Sequence, residues 1–101
     1  MTMKPKILEK HITADIRKFL NFKHVFHWKQ WQGPMSSMPG VSDILGIFRG
    51  RFLAIEVKKP GGKLTEKQQE FIDRINANGG IAFVARDVFD VIETLFPEEK
   101  R

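Results

Sequence analysis

Asp43, Glu56 and Lys58 are the residues whose types and spacing carry chemistry. Glu56 and Lys58 are two positions apart at the end of an apolar run, so a strand puts both side chains on one face. Arg49-Gly50, between two apolar runs, reads as a two-residue hairpin turn. That turn pairs Phe48 with Arg51 and, counting outward, Asp43 with Glu56. A four-residue loop gives the same register, whereas a three-residue turn shifts it by one. The two Cβ atoms would then stand roughly 5 Å apart on one face. Like charges so placed destabilise a sheet unless a cation compensates them, and hard oxygen donors suit Mg²⁺ or Mn²⁺. A lysine beside such a pair can hold a water or stabilise charge growing on a phosphate. The three residues supply the parts for metal-assisted phosphodiester hydrolysis.

These residues need a scaffold, and the rest of the pattern provides one. Leu8, Ile12, Ile16 and Phe19 share one face of a helix over residues 6–20, with Pro5 suited to its start and Asn21 to its stop. Val25, Phe26 and Trp28 suggest a short strand. Residues 32–40, rich in Gly, Pro, Ser and Met, read as a loop. Apolar runs at 41–48 and 52–57 form the hairpin, with Phe52, Ala54, Glu56 and Lys58 on one face and Leu53, Ile55 and Val57 on the other. Thr65 caps a second helix over 65–78, with Gln68 completing a capping box, and Asn78-Gly79-Gly80 stops it. Residues 81–85 form a short apolar run that reads as a buried strand. Asp87 caps a last helix with Val88, Val91, Ile92 and Leu95 inward, ending before Pro97, and residues 98–101 read as a frayed tail. The expected fold is one small α/β domain: a mixed sheet made of the hairpin plus a parallel strand from a βαβ unit, flanked by helices.

Composition narrows the chemistry. The chain has 101 residues, 42% hydrophobic and 29% charged, with a net charge of +5. One core fits that length, and the basic excess suits a polyanionic partner. There is no Cys, which excludes disulfides, zinc thiolates and a cysteine nucleophile, and no Tyr, which excludes a tyrosine nucleophile. No apolar run reaches the length of a membrane span, and the first ten residues lack the build of a signal peptide. An intracellular, cytoplasmic protein is expected.

The stretch G-V-S-D at 40–43 followed by I-E-V-K at 55–58 resembles the Asp…Glu-x-Lys signature of the PD-(D/E)XK nuclease superfamily. The longer block from Pro39, through the hairpin and K-K-P-G-G-K-L-T-E-K-Q-Q-E-F-I to I-N-A-N-G-G-I-A-F-V-A, is similar to its VRR-NUC branch, the virus-type replication-repair nucleases. The resemblance implies a restriction-endonuclease-like core and dependence on Mg²⁺ or Mn²⁺. It makes Asp43, Glu56 and the Val57 carbonyl metal ligands and Lys58 the catalytic lysine. It carries the family's helix-one glutamate onto Glu9 and its downstream glutamine onto Gln68. Ser42 stands where many members have proline. The resemblance also implies an endonuclease acting on structured or branched DNA, similar to Holliday-junction resolvases, working in replication, recombination or repair, and homodimeric.

Plainer roles compete for several of these residues. Glu9 is also a first-turn glutamate favoured by the helix dipole, and Gln68 is also the partner of Thr65. Lys59 doubles as an edge-strand gatekeeper. With Lys29, Lys63 and Trp31 it is a candidate nucleic-acid contact. Trp28 and Trp31 are each candidates to stack on bases or to fill the core; Trp28 reads as core, while Trp31 beside the loop is open. His24 and His27 are poorly spaced for one metal ion in a strand, and Gly61-Gly62-Lys63 lacks the frame of a phosphate loop and reads as a turn. The rival functional reading is a DNA-binding module on a nuclease fold that does not cut, which the same basic balance fits.

Overall fold

The computed structural model describes residues 7–33 and 38–99. The elements run α1 (Glu9–Phe22), β1 (His27–Lys29), β2 (Ile44–Phe48), β3 (Arg51–Val57), α2 (Glu66–Ala77), β4 (Ile81–Ala85) and α3 (Val88–Leu95), followed by a 3-10 turn at Pro97–Glu99. The first helix starts three residues and stops two residues later than its apolar spacing suggests. The expected starter Pro5, residues 34–37 of the loop and residues 100–101 of the tail lie outside the described residues.

The four strands form one mixed sheet in the order β1-β2-β3-β4. The turn at 49–50 has two residues, with φ of 48° at Arg49 and 80° at Gly50. Positive φ at both central positions matches the twist of the strands it joins. Phe48 therefore pairs with Arg51 and Ile44 with Ile55. β3 and β4 are parallel, with Ala54 beside Ala82 and Val57 beside Ala85, across the α2 crossover.

Strand alternation sorts the core into two layers. On one face Ile44, Phe48, Leu53, Ile55 and Val57 meet Ile12, Ile16 and Leu20 of α1 and Val91 and Leu95 of α3. On the other face Leu45, Ala54 and Ala82 meet Ile72 of α2, with Phe52, Phe71 and Ile75 packed around them. Both helix caps expected from the sequence are made. Thr65 Oγ1 accepts from Gln68 N–H and Gln68 Oε1 accepts from Thr65 N–H, while Asp87 accepts from Asp90 N–H.

Three expectations need correcting. The run at 81–85 is an edge strand, partly rather than wholly buried, because no further strand follows it in the sheet. Side chains from the helices satisfy part of its outer edge instead. The Asn76 amide donates to Ala82 C=O at 3.0 Å and accepts from Ala82 N–H at 2.8 Å, and Asp90 accepts from Arg86 N–H. Residues 98–99 are not a free tail: Glu99 pairs with Lys23 at 2.6 Å and Glu98 with Arg49 at 3.6 Å. Trp28 is not core. It sits on edge strand β1 with 38% of its surface exposed, because α2 covers the β3–β4 half of its face and stops short of β1.

Candidate active site at the open end of the hairpin

Gly40 sets the approach to Asp43. Its φ is +74°, and a Cβ there would fall 2.2 Å from Lys67 O at the start of α2. Only glycine lets the loop lie this close to the helix before it turns into β2. Asp43 then continues the β1–β2 ladder, its C=O accepting from Gln30 N–H at 2.8 Å. On its other side the backbone ladder stops and the side chain takes over. Oδ2 accepts from Val57 N–H at 2.7 Å, and Oδ1 accepts from Gln32 Nε2 at 3.0 Å. For this reason Asp43 stands just outside β2, although the register that carries it opposite Glu56 is the one expected.

Glu56 is the unusual group. It is 3% exposed, and its Oε1 has no hydrogen-bond partner. Burial pushes its pKa from the ordinary 4.5 up to about 9, and the neighbouring Asp43 adds to this through its charge and by hydrogen bonding to the protonated form. The Lys58 ammonium pulls the other way, and Glu9 raises the pKa a little further. An unpartnered buried carboxylate oxygen is costly unless something fills it. Asp43, Glu56 and Lys58 thus share one electrostatic site at the end of the hairpin.

The remaining candidates are less tightly gathered. Glu9 is exposed in the first turn of α1, close enough for its charge to register at Glu56. Among the described residues, no three His, Asp or Glu side chains converge as a ligand cluster. The Val57 carbonyl lies on the same edge of β3 as the N–H that bonds Asp43, because both groups of a strand residue point to one side. Gln68 spends its Oε1 on the capping box. Lys29, Trp31, Lys59 and Lys63 are all exposed.

Two residues, Gln32 and Arg86, were missed by sequence reasoning. Gln32 grips the Asp43 carboxylate. Arg86 donates to the carbonyls of Lys59 at 3.0 Å and Gly62 at 2.8 Å, which fixes the loop after Lys58. Neither carries a local signal, since each contact spans many residues of chain. Phe26 and Trp28 stand exposed on the sheet. The alternation of aromatic and basic residues from 23 to 31 was their signal.

Comparison with known proteins follows the same lines. The family model of the VRR-NUC domain matches residues 3–88. No curated protein matches the chain. A solved structure described as a VRR_NUC domain protein superposes with a TM-score of 0.72 over 93% of this chain and 92% of that one. The two are 20% identical, so the likeness is one of fold.

Proposed function

The chain belongs to the VRR-NUC domain family, whose members are nuclease domains, and we propose that it is a metal-dependent DNA endonuclease cutting phosphodiester bonds in structured or branched DNA. The observation that carries this reading is the partnerless, buried Glu56 Oε1 beside Asp43 and Lys58. A carboxylate raised to about 9 in isolation is a poor structural element and a ready ligand once a cation compensates it. The donor set fits Mg²⁺ or Mn²⁺: two carboxylates, a backbone carbonyl at Val57, and Glu9 within electrostatic reach. A bound ion of this kind lowers the pKa of water and polarises a phosphoryl oxygen.

The chain's own residues divide the remaining work. Asp43 and Glu56 would hold the ion, and the bonds from Val57 N–H and Gln32 keep the Asp43 carboxylate in place. Lys58 offers its ammonium to the negative charge that builds on the phosphate. Lys29, Trp31, Lys59 and Lys63 hold the strand, the lysines by charge and the indole by stacking. Gln68 keeps the α2 end rigid beside Gly40. The family likeness supports a homodimer, which places two such sites across a junction.

The test compares wild type with Asp43→Asn and Glu56→Gln on linear duplex, flap, splayed-arm and four-way-junction DNA, with Mg²⁺, Mn²⁺ or EDTA. Wild type should cut only with metal, and each variant should lose at least about a hundredfold in rate. Cutting in EDTA, or full activity in Glu56→Gln, sinks the reading. Paired symmetric cuts in the four-way junction support the homodimer.

A further inference from the structure

One face of the sheet leads away from the carboxylates along β1. Ladder pairing sets Trp28 opposite Leu45, and Ile47 N–H donates to Phe26 C=O at 3.1 Å. Gln30 bonds Asp43 in the same register. Phe26, Trp28 and Gln30 therefore form one row, beside the row Ile47, Leu45 and Asp43, on the face that also carries Glu56. Phe26 is 68% exposed, Trp28 38% and Ile47 44%. The two rings touch, with centroids 5.7 Å apart. Trp28 Nε1 donates to Gln30 Oε1 at 3.1 Å, so the indole's one polar group is satisfied while much of its ring stays in solvent. Large aromatics left bare on a sheet next to a reactive site call for an occupant.

The charge pattern selects that occupant. The chain as a whole carries a net charge of +5, and Lys58 stands on this face two residues beyond Glu56. A second copy of this chain would bring the same excess of positive charge to the contact. A polyanion with flat apolar groups along its length satisfies both the charge and the rings. Trp28 lies two strand residues from the level of Asp43, and Phe26 four, or about 7 Å and about 14 Å along the strand. Those spacings correspond to successive nucleotides of an extended strand whose scissile phosphate lies at Asp43 and Glu56. In a continuous duplex the bases are stacked on each other and hidden from such a platform.

We propose that Phe26 and Trp28 form a stacking platform for unpaired bases flanking the cut, so that the substrate is a DNA strand with unpaired nucleotides next to the scissile bond. This rests on the endonuclease reading for the place of the cut, but base stacking is measurable without cleavage. The chain has two tryptophans, so Trp31→Phe leaves Trp28 as the sole reporter. In EDTA, oligothymidine should quench Trp28 fluorescence and blunt duplex of equal length should not. Trp28→Ala should weaken oligothymidine binding about tenfold, with duplex binding little changed, and Trp28→Phe should retain most of it. With metal, Trp28→Ala should lose its preference for flap over blunt duplex. An unmoved Trp28 signal, or an unchanged ratio of single-strand to duplex binding in a folded Trp28→Ala protein, overturns the platform. So does loss of self-association in that variant with DNA binding intact, which would assign the face to a second copy. Failure of the endonuclease reading looks different: wild type would bind and quench yet cut nothing.

Discussion

Glu56 carries a proton that an ordinary glutamate would have lost. Between its free pKa of 4.5 and its folded value of about 9, the folded metal-free chain binds more protons than the unfolded one. Its contribution to stability is full below the free value and fades as pH rises towards the folded one, by at most about 1.4 kcal/mol per pH unit. In EDTA, the urea midpoint of wild type should therefore fall from about pH 5.5 to about pH 8.5, and Glu56→Gln should flatten that fall. Equal slopes in the two proteins would refute the assignment. The same proton must leave when a divalent ion binds. Calorimetry in buffers of different ionisation enthalpy should thus show about one proton released per ion near neutral pH, and none in Glu56→Gln. Opposition of Glu56 to Asp43 was legible from the turn, because a two-residue loop leaves one register. The bond from Val57 N–H to Asp43 was not, since it replaces a backbone bond and leaves no mark on spacing.

At the scale of elements, the join between the loop before Asp43 and the start of α2 is the vulnerable point. Gly40→Ala would drive a methyl into the Lys67 backbone, 2.2 Å away, where nothing flexible can yield. The expected result is a loss of several kcal/mol or a displaced loop, read as a lower melting temperature and weaker cleavage together. Thr65→Ala loses one bond of the capping box and should cost about 1 kcal/mol while cleavage persists. A melting temperature for Gly40→Ala equal to wild type would refute the close packing seen here. Hairpin, caps and βαβ unit were legible because each rests on short-range rules: turn residues, cap spacing, strand alternation. The exposure of Trp28 was not legible. It depends on how far α2 reaches across its face of the sheet, which no local pattern encodes. Glu9 is a similar case, since its distance from Glu56 follows from how α1 packs on the opposite face.

At the scale of the whole molecule, two ion pairs tie the C-terminal turn to distant parts of the chain. Lys23 at the end of α1 holds Glu99, and Arg49 in the hairpin turn holds Glu98. Both pairs lie at the surface and are worth little singly. Phe96 does more, packing edge-on against Phe19 and Phe48. No helix among the described residues is long and apolar enough to cross a membrane.

Asn76 gives the sheet a direction of growth. Its amide stands in for a neighbouring strand at Ala82, and Asp90 does the same at Arg86 N–H. On the β4 side an incoming strand finds both groups of Ala82 and the N–H of Arg86 already spoken for. Among the described residues no side chain bonds the outward backbone groups of His27 and Lys29 on β1, so that edge is the more open to a chain that docks by backbone pairing. When the arriving chain is an identical molecule, it too must offer β1, and the joined sheet then ends in a stoppered β4 on both sides. Pairing of this kind terminates at two subunits and does not run on into a fibre. Asn76→Ala removes one stopper. It should cost about 1–3 kcal/mol for the two unpaired groups at Ala82, and it should open the β4 edge to pairing, read as light scattering that climbs with concentration above that of wild type.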